Sequence, residues 1–100
     1  MKAVPYIISK KAIADLEEIW AYSYIHWSQT QADRYYNLIF DEIKFICKNP
    51  NAGKSFEQYR KGYLVTKATS HLIFFRVRNN IIEIVRILHE RMDIESQLTG

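Results

Sequence analysis

Six side chains in the second half of the chain are of the types that cut phosphodiesters by general acid–base chemistry: His71, Arg76, Arg78, Glu83, Arg86 and His89. Attack by a ribose 2′-hydroxyl needs a base at that hydroxyl, an acid at the departing 5′-oxygen, and cations around the phosphorane. Imidazole, carboxylate and guanidinium groups supply those roles only where one surface gathers them. Strand parity says which of them share a face. In an extended segment from His71 to Arg78, Arg76 and Arg78 share one face and His71 lies on the other. In the segment Ile81 to His89, Arg86 and His89 fall on opposite faces. Glu83 and His89 share one, at opposite ends of the strand. No single face collects the full set.

Other chemistries lack their residues. The chain has no nucleotide-binding glycine loop, zinc-ligand cluster or nucleophile elbow. Gly53 and Gly62 are isolated and read as turn residues. The three histidines have no partner at i, i+4, and His26, between Ile25 and Trp27, reads as a local hydrogen-bonding or interface residue. Cys47 is the single cysteine, which excludes an intrachain disulfide and a cysteine-rich metal site. Its place in an apolar helical pattern makes it a small core residue. No cofactor and no metal are expected.

Positioning these side chains falls to one domain of 100 residues, 48% apolar and 14% aromatic. That is enough apolar material for a core. No apolar run is long enough to span a bilayer, and no apolar segment precedes a small-residue cleavage site, so a soluble, cytoplasmic protein is expected. The net charge of +3 is unevenly spread: residues 1–53 hold six Lys/Arg and six Asp/Glu, and residues 54–100 hold eight against five. Local basicity of this kind suits an acidic protein partner or a phosphate backbone.

Pro5 to Ile8 reads as an edge strand, because the leading proline withholds a ladder donor. Ser9 is placed to cap a helix whose apolar positions are Ala12, Leu16, Ile19, Trp20, Ser23 and Trp27, with Asp15, Glu17 and Glu18 outward. Ser28-Gln29-Thr30-Gln31 has the form of a capping box and opens a second helix. Ala32, Tyr35, Tyr36, Ile39, Ile43 and Ile46 carry its stripe, and Asn49-Pro50 ends it. With almost no loop between them, the two helices form an antiparallel hairpin. Three strands follow, from Gly62 to Lys67, His71 to Arg78 and Ile81 to His89, with Asn79-Asn80 as a two-residue turn. The order is β-α-α-β-β-β, an α+β domain with the hairpin on an antiparallel sheet. Leu16, Ile19, Ile39, Ile43, Phe74, Ile84 and Ile87 are the expected core. Leu72-Ile73-Phe74-Phe75 and Ile84-Val85 break the alternation of a sheet with one wet face, so both faces lose water. Helices cover one face. A C-terminal segment or a partner chain covers the other, and the small size of the domain favours a partner.

The run Ile84-Val85-Arg86-Ile87-Leu88-His89-Glu90-Arg91-Met92-Asp93, the two aromatic helices, Asn49-Pro50-Asn51-Ala52-Gly53, Gly62-Tyr63 and His71 to Phe75, in that assembled set, resemble the ParE family of the RelE/ParE toxin superfamily, also described as plasmid stabilisation toxins. The similarity runs from about Tyr6 to Asp93. It implies a bacterial toxin of a type II toxin–antitoxin system, encoded beside an antitoxin, that binds and poisons DNA gyrase without chemistry of its own. The RelE branch implies the alternative, ribosome-dependent cleavage of messenger RNA. The closely set lysines and C-terminal tyrosine of many such relatives are absent here. A nucleic-acid-binding module is a third reading, disfavoured because no recognition helix is apparent, and no sequence-specific nucleic-acid binding is expected. Within the family reading, Arg76, Arg86, His89 and Arg91 are the candidate target-binding residues. Trp20, Tyr24 and Tyr35 are candidate antitoxin anchors, with Arg60, Lys61 and Arg78 meeting its acidic residues.

Overall fold

Local chemistry sets the first half of the fold. The computed structural model describes residues 3–58 and 60–99. Strand β1 (Tyr6–Ile8) runs into helix α1 (Lys10–His26) at Ser9, whose hydroxyl accepts from the Ala12 N–H at 3.0 Å. The same hydroxyl donates to the Val85 carbonyl at 2.9 Å, so the cap also pins the helix start to the sheet. Trp27 and Ser28 form the whole connection to helix α2 (Gln29–Lys48), and Ser28 accepts from the Gln31 N–H at 3.1 Å. Asn49 ends α2, and Pro50 opens a single 3₁₀ turn over Pro50–Ala52.

Strands β2 (Lys54–Ser55), β3 (Leu64–Ala68), β4 (His71–Arg78) and β5 (Ile81–His89) complete a five-stranded sheet of order β1-β5-β4-β3-β2. Only β1 is parallel to its neighbour, β5. Asn79 and Asn80 have φ of 51° and 59°, the paired left-handed geometry that matches the twist of a tight hairpin. The two-residue β2 has no periodicity of its own to read, and it pairs only with Val65 and Leu64.

The β4–β5 ladder departs from a regular hairpin in one place. Phe75 pairs with Ile84 but Phe74 pairs with Arg86, leaving Val85 as an extra residue. A bulge of this kind reverses the facing of every residue beyond it. Glu83 therefore sits opposite Arg76, while His89 lies opposite His71. The expectation that Glu83 and His89 share a face is overturned by this one inserted residue.

Apolar side chains fill both faces. Between the helices and the sheet lie Ala12, Leu16, Ile39, Ile43, Ile46 and Cys47 from the hairpin and Ile73, Phe75, Ile82, Ile84 and Ile87 from the strands, with Ile19 partly buried beside them. The opposite face holds Tyr63, Phe74, Val85 and Leu88, and it is covered by a third helix, α3 (Ile94–Thr99), through Ile94 and Leu98. The chain itself supplies this cover, where a partner had been favoured. Two expectations for α1 also change. Asp15 turns inward to β5, and Trp27, beyond the last turn, is 74% exposed.

Candidate functional site

The inserted residue in β5 builds a site that parity alone does not anticipate. His71 and His89 meet edge to face with ring centres 5.1 Å apart, at the end of the sheet beneath the helix connection. From α2, the Tyr35 hydroxyl lies 2.6 Å from His71 Nδ1, and the Ser70 N–H donates to the same phenol oxygen at 3.2 Å. The amide donates to the phenol oxygen, and the phenol and His71 Nδ1 share the second bond, which either tautomer of the ring can make. The Arg91 N–H likewise donates to His89 Nδ1 at 3.1 Å. That acceptance at Nδ1 leaves Nε2 as the donor nitrogen of the His89 ring. Burial, and then the neighbouring His89, lower the His71 pKa from 6.5 to about 4. His71 is neutral at physiological pH.

These rings line an open cleft of about 460 Å³ with Ile19, Tyr22, Trp27 and Gln31. No Lys, Arg, Asp or Glu is among the described lining residues. The arrangement does not suit a metal either. An imidazole that ligates through Nε2 ordinarily donates from Nδ1, whereas the Nδ1 of His89 accepts here. Among the described residues no group of three or more His, Cys, Asp or Glu is placed to hold an ion.

The sheet arginines are committed elsewhere. Arg86 grips both carboxylate oxygens of Asp15, at 2.8 and 2.9 Å, and donates to the Gln97 carbonyl of α3 at 3.1 Å. Asp15 also accepts the Ile87 N–H at 3.0 Å, just past the stretch of β5 that β1 pairs. Arg86 therefore ties α1, β5 and α3 together, and the hydrogen bond to Asp15 holds its guanidinium pKa up. Arg76 pairs with Glu83 across the β4–β5 ladder, its pKa likewise raised by that bond. Arg91 is exposed just after His89. Of the four candidate target-binding residues, the structure brings His89 and Arg91 together at the cleft end and uses Arg76 and Arg86 internally.

The antitoxin candidates divide by position. Trp20 stacks on Tyr24 at 5.2 Å and donates from Nε1 to Asp33 at 3.0 Å, joining α1 to α2. Tyr35 faces His71, away from that pair. Arg60, Lys61 and Arg78 are exposed. Since β3 begins opposite Phe75, the loop carrying Arg60 and Lys61 enters the sheet at the end where β4 carries Arg78. That end is remote from the two histidines.

Comparison with known proteins gives this geometry a lineage. Residues 6–94 match the family model described as the ParE toxin of the type II toxin–antitoxin system parDE. The chain belongs to the ParE toxin family. Toxin ParE1 of Mycobacterium tuberculosis is 38% identical over 94 residues, covering 93% of this chain and 96% of that one. Toxin ParE1 of Caulobacter vibrioides is 37% identical over 94 residues, covering 94% and 97%. Among solved structures, the chromosomal ParDE toxin–antitoxin system of P. aeruginosa superposes with a TM-score of 0.76 at 21% identity, over 87% of this chain and 96% of that one. The toxin–antitoxin complex RelBE2 of M. tuberculosis gives 0.66 at 15% identity, over 88% and 99%. At those identities the two structures speak to the fold, which is the RelE/ParE fold. Sequence reasoning missed the His71–His89–Tyr35 cluster of this ParE-family chain, and missed Asp15 as the partner of Arg86. The only trace of the first was the unbroken apolar run around Val85, where the bulge sits.

Proposed function

We propose that this ParE-family toxin arrests growth by binding DNA gyrase in the cytoplasm and stabilising its cleaved intermediate, without chemistry of its own, and that a cognate antitoxin restrains it. Membership in the family carries the reading. The disposition of charge supports binding over catalysis. Phosphoryl-transfer chemistry needs cations beside the acid–base pair, yet the described lining of the histidine cleft contains none. The nearest guanidinium on β5, Arg86, is spent on Asp15. A neutral His71 hydrogen-bonded by Tyr35 is also a weak base. Trapping one intermediate of another enzyme's cycle requires only differential affinity for that state.

The antitoxin's acidic residues are assigned to the exposed Arg60, Lys61 and Arg78, and its apolar residues to the Trp20–Tyr24 face of the hairpin. Among the described residues no helix is long and apolar enough to cross a membrane. Induction without antitoxin should stop growth and raise the DNA-damage response. Purified protein with gyrase, ATP and supercoiled plasmid should release linear DNA once the trapped complex is denatured. Unimpaired gyrase together with specific cleavage of ribosome-bound messenger RNA would instead establish the RelE-type activity.

A further inference from the structure

The longest uncharged stretch of this chain coincides with its most exposed apolar surface. From Ile19 to Ala32 there is no Lys, Arg, Asp or Glu, although a quarter of all residues are charged. These residues form the end of α1, the connection and the start of α2. Here a solvent-facing helix hairpin would ordinarily carry charge. Instead Tyr22 is 60% exposed and Ile25 and Trp27 are each 74% exposed. Directly beneath them opens the cleft of His71, His89 and Tyr35, itself lined by Tyr22 and Trp27 and free of charged side chains among its described residues.

We infer that the hairpin tip and this cleft form the docking surface for the toxin's protein target, receiving an uncharged segment that inserts a bulky apolar or aromatic side chain. This rests on the reading of the chain as a toxin that acts by binding. Charge decides the class of occupant. A nucleic-acid strand needs cations to track its phosphates, and an anionic membrane needs basic residues around the apolar anchors. The tip itself carries no charged side chain from Ile19 to Ala32, and the exposed Arg91 at the cleft rim is too little positive charge for either. An acidic antitoxin segment is drawn to Arg60, Lys61 and Arg78, at the other end of the sheet. What remains complementary is a neutral protein surface. Aromatic side chains flanked by Ser23, Ser28 and Gln31 make large contacts at low entropic cost. The His89 imidazole, its Nδ1 already accepting from the Arg91 N–H, adds an Nε2 donor for a backbone carbonyl or other neutral acceptor of the incoming segment. Exposed Arg91 sits at the rim.

Trp27→Ser and Trp27→Glu test the inference, because an exposed residue outside the helix contributes little to folding. Each variant should require on the order of tenfold or more toxin for growth arrest and for release of linear plasmid, the loss typical of an interface anchor. The glutamate should be worse than the serine. Melting temperature and copurification with the antitoxin should match the parent. Arg78→Glu, at the opposite end, should weaken antitoxin binding and leave arrest intact. Full arrest by both Trp27 variants overturns the inference. So does loss of antitoxin binding with arrest retained, which gives the surface to the antitoxin, and so does competition by a single-stranded oligonucleotide. Parent toxin that arrests growth without linear plasmid removes gyrase as the target, and the tip is then judged on growth arrest alone.

Discussion

His71 is the residue at which the sheet, α2 and the cleft meet, and its protonation state couples the fold to pH. Its pKa is about 4 in the folded chain against 6.5 for the free side chain, chiefly through burial. A proton therefore binds the unfolded chain first as pH falls. The contribution of His71 is complete above pH about 6.5, declines through the interval, and is gone below about 4. Solvent still reaches part of the ring, so the effect is about 1–2 kcal/mol rather than the full value of the shift. Urea midpoints measured from pH 7 to pH 4 should fall, and His71→Gln should flatten that slope. An unchanged slope in the variant would place the acid sensitivity elsewhere. Asp15 answers to a different test. It holds the Arg86 guanidinium and the Ile87 amide together. Asp15→Ala strands a half-buried cation and an amide, and should cost about 2–4 kcal/mol in chemical denaturation. Asp15→Asn should cost less, since it can still accept from Ile87.

At the scale of elements, the features with local causes were legible in the sequence. Ser9 and Ser28 cap their helices, Asn49-Pro50 ends α2, and Asn79-Asn80 turns the hairpin, because each depends on residues within one turn of chain. The bulge at Val85 was not legible, since it depends on what Phe74 and Phe75 meet across the ladder. With it went the pairing of His71 with His89, and so the centre of the candidate site. Nor was α3. Ile94 and Leu98 stand four apart in a polar tail, a pattern too short to assert a helix until Tyr63, Phe74, Val85 and Leu88 supply its other half. Leu98→Ala should therefore cost about 1–3 kcal/mol, the lower part of the range for buried leucine because a terminal helix can shift to refill space. It should also raise binding of a fluorescent apolar dye as that face opens. Full stability in the variant would mean that α3 contributes nothing to the far face. The turn offers a control of opposite sign. Asn80→Gly should be neutral or slightly stabilising and Asn80→Ala should cost about 1–2 kcal/mol, because the position has positive φ.

Across the whole molecule, the largest exposed apolar side chains stand at the histidine end of the sheet, where Lys67 is paired with Glu90, while three exposed cations stand toward the other end. Arg60 and Lys61 precede the start of β3 and Arg78 ends β4, while Ile25, Trp27 and the paired histidines mark the other pole. The ion pairs between them, Arg76 with Glu83 and the more buried Arg86 with Asp15, neutralise each other and lend little to the outer field. A molecule so divided can meet two partners by different physics, steering an acidic chain electrostatically at one end and holding a neutral one by contact at the other. Exposed charges act mainly on association rate, and salt screens that action over roughly 8–10 Å. Lys61→Glu and Arg60→Glu should thus slow antitoxin association several-fold at low ionic strength, with the difference from parent shrinking as salt rises. Dissociation should change less, and stability should stay within about 0.5 kcal/mol of the parent, as for most surface substitutions. Stopped-flow mixing of toxin with a labelled antitoxin segment across a salt series reads all of this directly. If the reversals leave the rate and its salt dependence untouched, the basic pole is an ordinary solvated surface, and the antitoxin must find the toxin by its apolar faces alone.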